Sequence, residues 1–169
     1  MQRLGIYPGT FDPLHKGHLS FALESIKACS LDCVVFLPEN QPRSKINVTA
    51  VEDRFKQIKA MIEAYPELDT QLLESSQFTV AATLPEIQKY FKNAELTMLV
   101  GSDVALSLDK WGGINTLLEN CNITIGMRDR QTEDEVHTIV TMLKKRMQSS
   151  IFTIVRTDYP SLASSSFRK

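Results

Sequence analysis

Two histidines three residues apart stand in a glycine-containing loop near the start of the chain. The loop covers residues 7–19 and reads YPGTFDPLHKGHL, with Gly9 early in it and a second glycine between His15 and His18. Glycine lets a backbone turn tightly and approach a ligand, and the start of a helix offers amide groups that can bind an anion. Two imidazoles at this spacing can direct two donors at one phosphate, and Lys16 adds a positive charge beside them. The loop is therefore a candidate phosphate-binding site.

Three other interpretations of this loop stay open on spacing alone. The sequence Gly-Thr-x-Asp-Pro is typical of a strand-to-helix turn in which Asp12 shapes its own backbone. A second interpretation makes the histidine pair half of a metal site, but the only other histidine, His137, falls in a predicted amphipathic helix. A third interpretation makes both histidines ordinary surface residues. The segment is neither a Walker loop nor a GxGxxG fingerprint.

An alternation of short apolar runs and amphipathic helices must position this loop. Six β-rich runs are predicted: Arg3–Tyr7, Leu31–Leu37, Thr70–Leu73, Glu95–Val100, Asn122–Ile125 and Ile151–Val155. The first run leads into the loop, and the loop opens a helix whose apolar residues from Leu19 to Ile26 follow the spacing of one buried face. Strands alternating with helices predict an α/β fold with a doubly wound parallel sheet, formed by one domain over residues 1–169. Sites in such folds lie beyond the carboxyl ends of the strands, where this loop stands.

Three further helices are predicted from capping boxes, in which a Thr and a Glu three residues apart satisfy each other's backbone amides. The boxes begin at Thr49, Thr83 and Thr132. For the second box, a helix start at Thr79 is the alternative, which is disfavoured because it places Pro85 inside the helix. The buried face predicted behind the first box consists of Val51, Phe55, Ile58 and Ile62.

Length and composition limit the class of protein. The chain has 169 residues, of which 43% are hydrophobic and 23% charged, as in ordinary globular domains. Its net charge of −1 argues against a surface that neutralises a nucleic-acid backbone. The longest apolar run, Cys33–Leu37, is far shorter than the roughly 20 residues that cross a bilayer, and the first residues lack a signal pattern. Three cysteines without a CxxC pair are typical of buried thiols in a reducing compartment, so we expect a cytoplasmic protein without nucleic-acid or membrane partners.

Four segments of the chain resemble one known family. Residues 9–18 are similar to the signature loop of the nucleotidyltransferases that carry the HxGH motif, a superfamily with a Rossmann-like fold. The other three resemble bacterial nicotinate mononucleotide adenylyltransferases and occur in the expected order. They are an aromatic-Thr segment at residues 78–84, the block Gly101-Ser102-Asp103 followed by Trp111, and a closing segment at residues 162–168.

The resemblance implies an enzyme that joins a mononucleotide phosphate to the α-phosphorus of ATP and releases pyrophosphate. The attacking phosphate is already ionised at neutral pH, so alignment and charge stabilisation can supply the catalysis. The implied catalytic residues are His15, Lys16, His18 and Arg168. The implied nucleotide-binding residues are Gly9, Thr10, Phe11, Gly17, Asp103, Ser164 and Ser165. The implied acceptor-binding residues are Lys45, Thr79 and Trp111, with Mg²⁺ carried by ATP and no metal site built from protein ligands.

Two departures from the family pattern and three rival functions stay open. Ser44 stands where the family usually has histidine, which puts the acceptor pocket in doubt, and Ala163 replaces a serine of the closing segment. Phosphopantetheine adenylyltransferase is the first rival, although that family usually has Thr or Ser at the position of His15. A cytidylyltransferase and a catalytically silent nucleotide sensor are the others. The predicted partners are ATP and a phosphate-bearing acceptor, with nicotinate mononucleotide preferred over its amide.

Overall fold

The computed structural model describes residues 1–43, 45–127 and 133–157, and Thr132, the predicted start of the last helix, lies outside these ranges. The strands are β1 (Gln2–Gly9), β2 (Cys33–Pro38), β3 (Leu68–Thr70), β4 (Ala94–Gly101), β5 (Cys121–Met127) and β6 (Phe152–Arg156). The helices are α1 (Lys16–Cys29), α2 (Val51–Ile62), α3 (Val80–Tyr90), α4 (Ser102–Ala105), α5 (Ile114–Asn120) and α6 (Glu133–Arg146), with a 3₁₀ helix at Leu108–Lys110. Five of the predicted strands are present within two residues of their predicted bounds. The third is displaced: its predicted range is Thr70–Leu73 but it covers Leu68–Thr70, so the two ranges share only Thr70.

All six strands belong to one parallel sheet in the order β3-β2-β1-β4-β5-β6. The chain moves outward from β1 to β3 and then crosses to β4, which pairs with the other side of β1. The direction of winding therefore reverses between β1 and β4. A crevice at the carboxyl ends of these two strands is where doubly wound folds bind their ligands. The predicted fold class is confirmed.

Alternating side chains of the central strands supply a hydrophobic core on each face of the sheet. In β2, Val35 and Leu37 belong to one core cluster, whereas Val34 and Phe36 belong to the other. The first cluster includes residues of α3, α5 and α6, and the second includes residues of α1 and α2. Helices cover both faces, so the strand ends are the place where a polar site can open.

The capping box predicted at Thr49 is wrong. The N-cap of α2 is Ala50, which makes no side-chain capping bond. The N–H of Thr49 instead donates to Oδ2 of Asp12 at 2.9 Å, so a contact to the first loop replaces the local cap. The predicted buried face is also wrong at one position, because Arg54 is fully buried and Phe55 is only half-buried.

The second predicted capping box is wrong as well, because α3 begins at Val80 with Thr79 as its N-cap. The Thr79 hydroxyl accepts from the N–H of Ala82 at 3.2 Å. Pro85 therefore lies inside the helix. Proline lacks the N–H that would bond to the carbonyl of Ala81, but both residues are exposed and water can bind that carbonyl instead.

Two observations concern the cysteines and the possibility of a membrane-spanning helix. The three cysteines are free thiols; Cys121 is buried, and Cys29 and Cys33 are partly buried. Within residues 1–43, 45–127 and 133–157, no helix has the length and apolar character needed to cross a bilayer.

Candidate active site

A cleft of about 730 Å³ lies at the carboxyl ends of β1 and β4. Its described lining comes from four segments: the first loop with His18, residues 39–43 and 45 after β2, residues 78–80 at the start of α3, and residues 100–112 at the end of β4 and after it. A volume of this size falls in the range of small-molecule sites, roughly 300–1,000 Å³. The cleft therefore lies at the position that the fold class predicts for a ligand.

The cleft brings together most of the site residues that the sequence predicted. Its lining includes Gly9, Thr10, Phe11, His18, Lys45, Thr79, Asp103 and Trp111. Three other predicted residues are outside the lining: His15 is buried beside His18, Lys16 is exposed as the first residue of α1, and Gly17 lies in the first turn of α1. The remaining three, Ser164, Ser165 and Arg168, lie outside the described residues.

The two histidines of the first loop cap α1. Nδ1 of His15 accepts from the N–H of Gly17 at 3.1 Å, and the N–H of His15 donates to Nδ1 of His18 at 3.3 Å. The two rings stack with their centroids 3.8 Å apart. Because both Nδ1 atoms act as acceptors, each neutral ring carries its proton on Nε2. His18 lines the cleft, so its Nε2–H is the donor that it can offer a ligand.

Two aromatic side chains pack against the ring of His18. The Phe11 ring meets it edge-on at 5.1 Å, and Tyr7 approaches it at 6.0 Å. The Phe11 residue is only 2% exposed, so its ring supports His18 from the core instead of offering a free stacking surface. A Cβ at Gly9 would come within 2.8 Å of the Phe11 ring, which explains why a glycine is needed at this turn.

Arg54 supports the loops around the cleft and was not predicted from the sequence. Its buried guanidinium donates to the carbonyls of Thr10 at 2.5 Å, Glu39 at 2.7 Å and Thr49 at 2.8 Å. It thereby joins the first loop, the loop after β2 and the segment before α2. The available signal was its place on the apolar stripe of α2, at a position where a charged side chain is buried.

A second part of the cleft lining is an aromatic wall, which consists of Phe78, the following residue Thr79, and Trp111. The rings of Phe78 and Trp111 are 5.8 Å apart and tilted by 51°. The N–H of Thr79 donates to Oγ1 of Thr83 at 3.1 Å, which fixes the wall to the first turn of α3. Trp111 is half-buried and packs against the core, so one part of it remains accessible from the cleft.

Charged side chains of both signs lie along the cleft. The basic ones in its described lining are Arg43, Lys45 and Lys110, and the acidic ones are Glu39 and Asp103. This excess of positive charge favours an anionic ligand. Among the described residues, no three His, Cys, Asp or Glu side chains are grouped so as to hold a metal ion.

Comparison with known proteins gives matches over almost the entire chain. A family described as cytidylyltransferase-like matches residues 6–169. A Clostridium novyi protein named "Probable nicotinate-nucleotide adenylyltransferase" is 30% identical over 156 residues, which cover 89% of this chain and 78% of that protein. A Clostridium tetani protein of the same name is 27% identical, with coverage of 98% and 84%.

A solved structure shares the fold. Nicotinic acid mononucleotide adenylyltransferase from Plasmodium falciparum, in complex with NaAD, superimposes with a TM-score of 0.75. The match covers 98% of this chain and 82% of that chain, and the sequences are 16% identical. At this identity the likeness concerns the fold alone.

Proposed function

The chain belongs to the cytidylyltransferase-like family and, within it, to the nicotinate-nucleotide adenylyltransferases, and we propose that it transfers AMP from ATP to nicotinate mononucleotide. The products are deamido-NAD and pyrophosphate. The observation that carries the proposal is the cleft itself, at the carboxyl ends of β1 and β4, whose lining includes both the His18 loop and the aromatic wall. The loop suits a triphosphate and the wall suits an aromatic acceptor.

The transfer requires one bond to form and one to break at the α-phosphorus of ATP. A phosphate oxygen of the acceptor attacks this phosphorus, and the bond to the bridging oxygen breaks as pyrophosphate leaves. The oxygen is already ionised, so the chain needs to supply alignment and charge stabilisation instead of a strong base. The Nε2–H of His18 donates to the transferring phosphoryl group, and His15, stacked on it at 3.8 Å, fixes its position.

The other nucleotide contacts follow from the first loop and from the family motifs. The backbone at Gly9 and Thr10 lies along the cleft and is proposed to follow the phosphates. Asp103 is proposed to contact a ribose, because an exposed carboxylate at the end of β4 can accept from two hydroxyls. Ser164, Ser165 and Arg168 are assigned to the β- and γ-phosphates by their place in the closing segment.

Mg²⁺ is proposed to enter with ATP. The described cleft offers the exposed carboxylate of Asp103, whose oxygen atoms are of the type that Mg²⁺ accepts. Since this ion often keeps its water molecules, triphosphate oxygens and water would supply most of its ligands. Bound in this way, the ion would neutralise part of the phosphate charge.

The acceptor is proposed to lie against the aromatic wall. Trp111 would pack against the pyridine ring, and Lys45 would attract the acceptor phosphate. The start of α3 at Val80 also lines the cleft, and the first turn of a helix favours a negative charge. We further propose that residues 1–169 act as one nucleotidyltransferase domain and that the protein is cytoplasmic.

Acceptor-dependent release of pyrophosphate tests the reaction. The protein is given ATP or CTP together with nicotinate mononucleotide, phosphopantetheine or glycerol 3-phosphate. We expect turnover with ATP and nicotinate mononucleotide. Turnover with phosphopantetheine alone, or with CTP and glycerol 3-phosphate alone, would assign a different acceptor class, and binding of ATP without any turnover would indicate a sensor.

A further inference from the structure

Glu39 makes hydrogen bonds to three different segments around the cleft. Its N–H donates to the carbonyl of Gly9 at 2.9 Å, in the first loop. Its own carbonyl accepts from Nη2 of Arg54 at 2.7 Å, in α2. Its carboxylate Oε1 accepts from the N–H of Phe78 at 2.8 Å, in the aromatic wall. Glu39 is thus bonded both to the loop that carries His18 and to the aromatic wall.

Two more bonds join the loop after β2 to the segment that precedes Phe78. The N–H of Gln41 donates to the carbonyl of Ser76 at 2.7 Å. Nε of Arg43 donates to Oε1 of Gln77 at 3.2 Å, but this pair is exposed and competes with water. The Glu39 bond is more enclosed and reaches the wall residue itself. Through Glu39, the N–H of Phe78 is connected to Gly9 of the first loop.

We propose that Glu39 is a positioning residue for the acceptor, acting through the aromatic wall. The inference rests on the proposed function, since it assumes that the acceptor packs against Phe78 and Trp111. A carboxylate that accepts from a backbone N–H forms a strong, short hydrogen bond. Without it, the N–H of Phe78 loses its partner and the wall can move away from the phosphate side of the cleft. The acceptor then binds less tightly, while ATP, held by the first loop, is affected little.

The geometry does not favour a direct chemical role for Glu39. The attacking phosphate needs no base, and a carboxylate beside an anionic acceptor repels it instead of binding it. One of its two oxygens is already committed to the N–H of Phe78. The hydrogen bond, and not the charge, is therefore what Glu39 contributes, and this distinction can be tested by substitution.

The test compares three variants of the full chain. Glu39→Gln keeps an oxygen that can accept from the N–H of Phe78 but loses the charge, and Glu39→Ala loses both. Glu119→Ala, at an exposed carboxylate of α5, is the matched control for charge removal. Each variant is measured for the KM of the acceptor, the KM of ATP and thermal stability.

A second readout does not depend on turnover. Trp111 is the only tryptophan of the chain and contacts Phe78, so its fluorescence reports on the aromatic wall. Titration with nicotinate mononucleotide gives a Kd for each variant at a temperature where all are folded. We expect the acceptor KM and Kd to rise about tenfold in Glu39→Ala, the effect of one charge-assisted hydrogen bond, and to stay within about threefold of wild type in Glu39→Gln. The KM of ATP stays unchanged in both.

Two results would overturn the inference. If Glu39→Gln weakens binding of the acceptor as much as Glu39→Ala does, the charge of Glu39 acts directly and the positioning role is wrong. If Glu39→Ala raises both KM values equally, Glu39 is only structural. Failure of the proposed function looks different, because the wild-type protein itself would then not use nicotinate mononucleotide. The fluorescence titration, repeated with the acceptor that it does use, would still decide the role of Glu39.

Discussion

The backbone N–H of His15 donates to Nδ1 of His18 at 3.3 Å, so the ring that lines the cleft also caps the helix that carries it. This bond assigns the proton of the neutral His18 ring to Nε2, on the side away from the cap. One side chain therefore serves two purposes through its two nitrogen atoms. Substitutions that preserve only one of these atoms can separate the two purposes.

The first prediction compares His18→Asn with His18→Ala. The asparagine amide oxygen can take the place of Nδ1 and accept from the N–H of His15, whereas neither variant has a group at the position of Nε2. We expect kcat to fall by about 10²–10³ in both, because one donor to the transferring phosphoryl group is lost. Only His18→Ala should also lose about 1 kcal/mol of unfolding free energy, the usual cost of a cap. Urea unfolding and steady-state kinetics measure the two effects, and near-normal turnover of His18→Asn would contradict the proposed role.

The second prediction concerns His15, which is buried and stacked on His18. Asparagine is a good N-cap residue and can accept from the N–H of Gly17 as His15 does. His15→Asn should therefore unfold at nearly the same urea concentration as wild type, while His15→Ala loses about 1 kcal/mol. Activity should fall in both, since neither side chain supports the His18 ring. If His15→Asn kept full kcat, the stacked ring would have no part in catalysis.

The third prediction concerns Arg54, whose guanidinium donates to carbonyls in separate segments. Arg54→Lys keeps the charge, but one ammonium group cannot reach all of these carbonyls. Each hydrogen bond to a charged group contributes about 1.5–3 kcal/mol, so the loss of two or more should lower the unfolding free energy by at least about 3 kcal/mol. Lys56→Met on the exposed side of α2 is the control and should change little. A change below about 1 kcal/mol in Arg54→Lys would show that these carbonyls find other partners.

The fourth prediction concerns the pH dependence of thiol reactivity. Burial raises the pKa of the Cys121 thiol to about 12. Burial, followed by the charges of Asp69, Glu67 and Asp32, raises the pKa of Cys33 to about 11. Only the thiolate reacts, so at pH 8 about one Cys33 side chain in a thousand is reactive. Alkylation of Cys33 by iodoacetamide should be slow in the folded protein, should accelerate about tenfold per pH unit, and should become fast in urea. Mass spectrometry of the digested protein measures this, and rapid alkylation of folded Cys33 at pH 7 would contradict the raised pKa.

The fold and the first-loop part of the cleft could be predicted because the patterns that indicate them lie within short stretches of sequence. Buried parallel strands are continuous apolar runs, and Gly9 with the two histidines marks the turn into α1. The family predicted from these motifs is confirmed by the relatives that match the chain. The two helix starts were wrong for different reasons. Asp12 takes the N–H of Thr49 away from a local cap, which is a tertiary contact. Helix α3 begins before Pro85 because Thr79 caps it locally through the N–H of Ala82, and the sequence did not show which of the two threonines is the cap.

Arg54 and Glu39 could not be predicted because their roles depend on distant backbone atoms. Backbone carbonyl and N–H groups are the same in almost every residue type. The sequence therefore does not show that Arg54 donates to the carbonyl of Thr10 or that Glu39 accepts from the N–H of Phe78. A charged residue on an apolar helix stripe was the only signal for Arg54. Glu39 follows β2 directly, in a loop where an acidic residue has no special meaning before the fold is known.

The last prediction concerns the choice between nicotinate mononucleotide and its amide. Arg43, Lys45 and Lys110 outnumber the two acidic side chains of the cleft lining, and α3 begins beside them. A ring carboxylate gains from both features, whereas a carboxamide is neutral and presents an NH₂ group that these donors cannot satisfy. We therefore expect a higher kcat/KM for the acid.

Lys110 precedes Trp111 in the chain and lines the cleft, so its charge is the one to remove in testing this preference. Lys110→Met should lower kcat/KM for the acid about twofold to fivefold, as expected for one exposed charge, and leave the amide nearly unchanged. High salt should weaken the preference in the wild-type protein in the same direction, because it screens exposed charges. Lys144→Met, on the exposed face of α6, is the control and should leave kcat/KM unchanged for both substrates. Equal use of acid and amide by the wild-type protein would contradict the selectivity. A loss of the same size for both substrates in Lys110→Met would mean that Lys110 attracts the shared phosphate instead of the ring carboxylate.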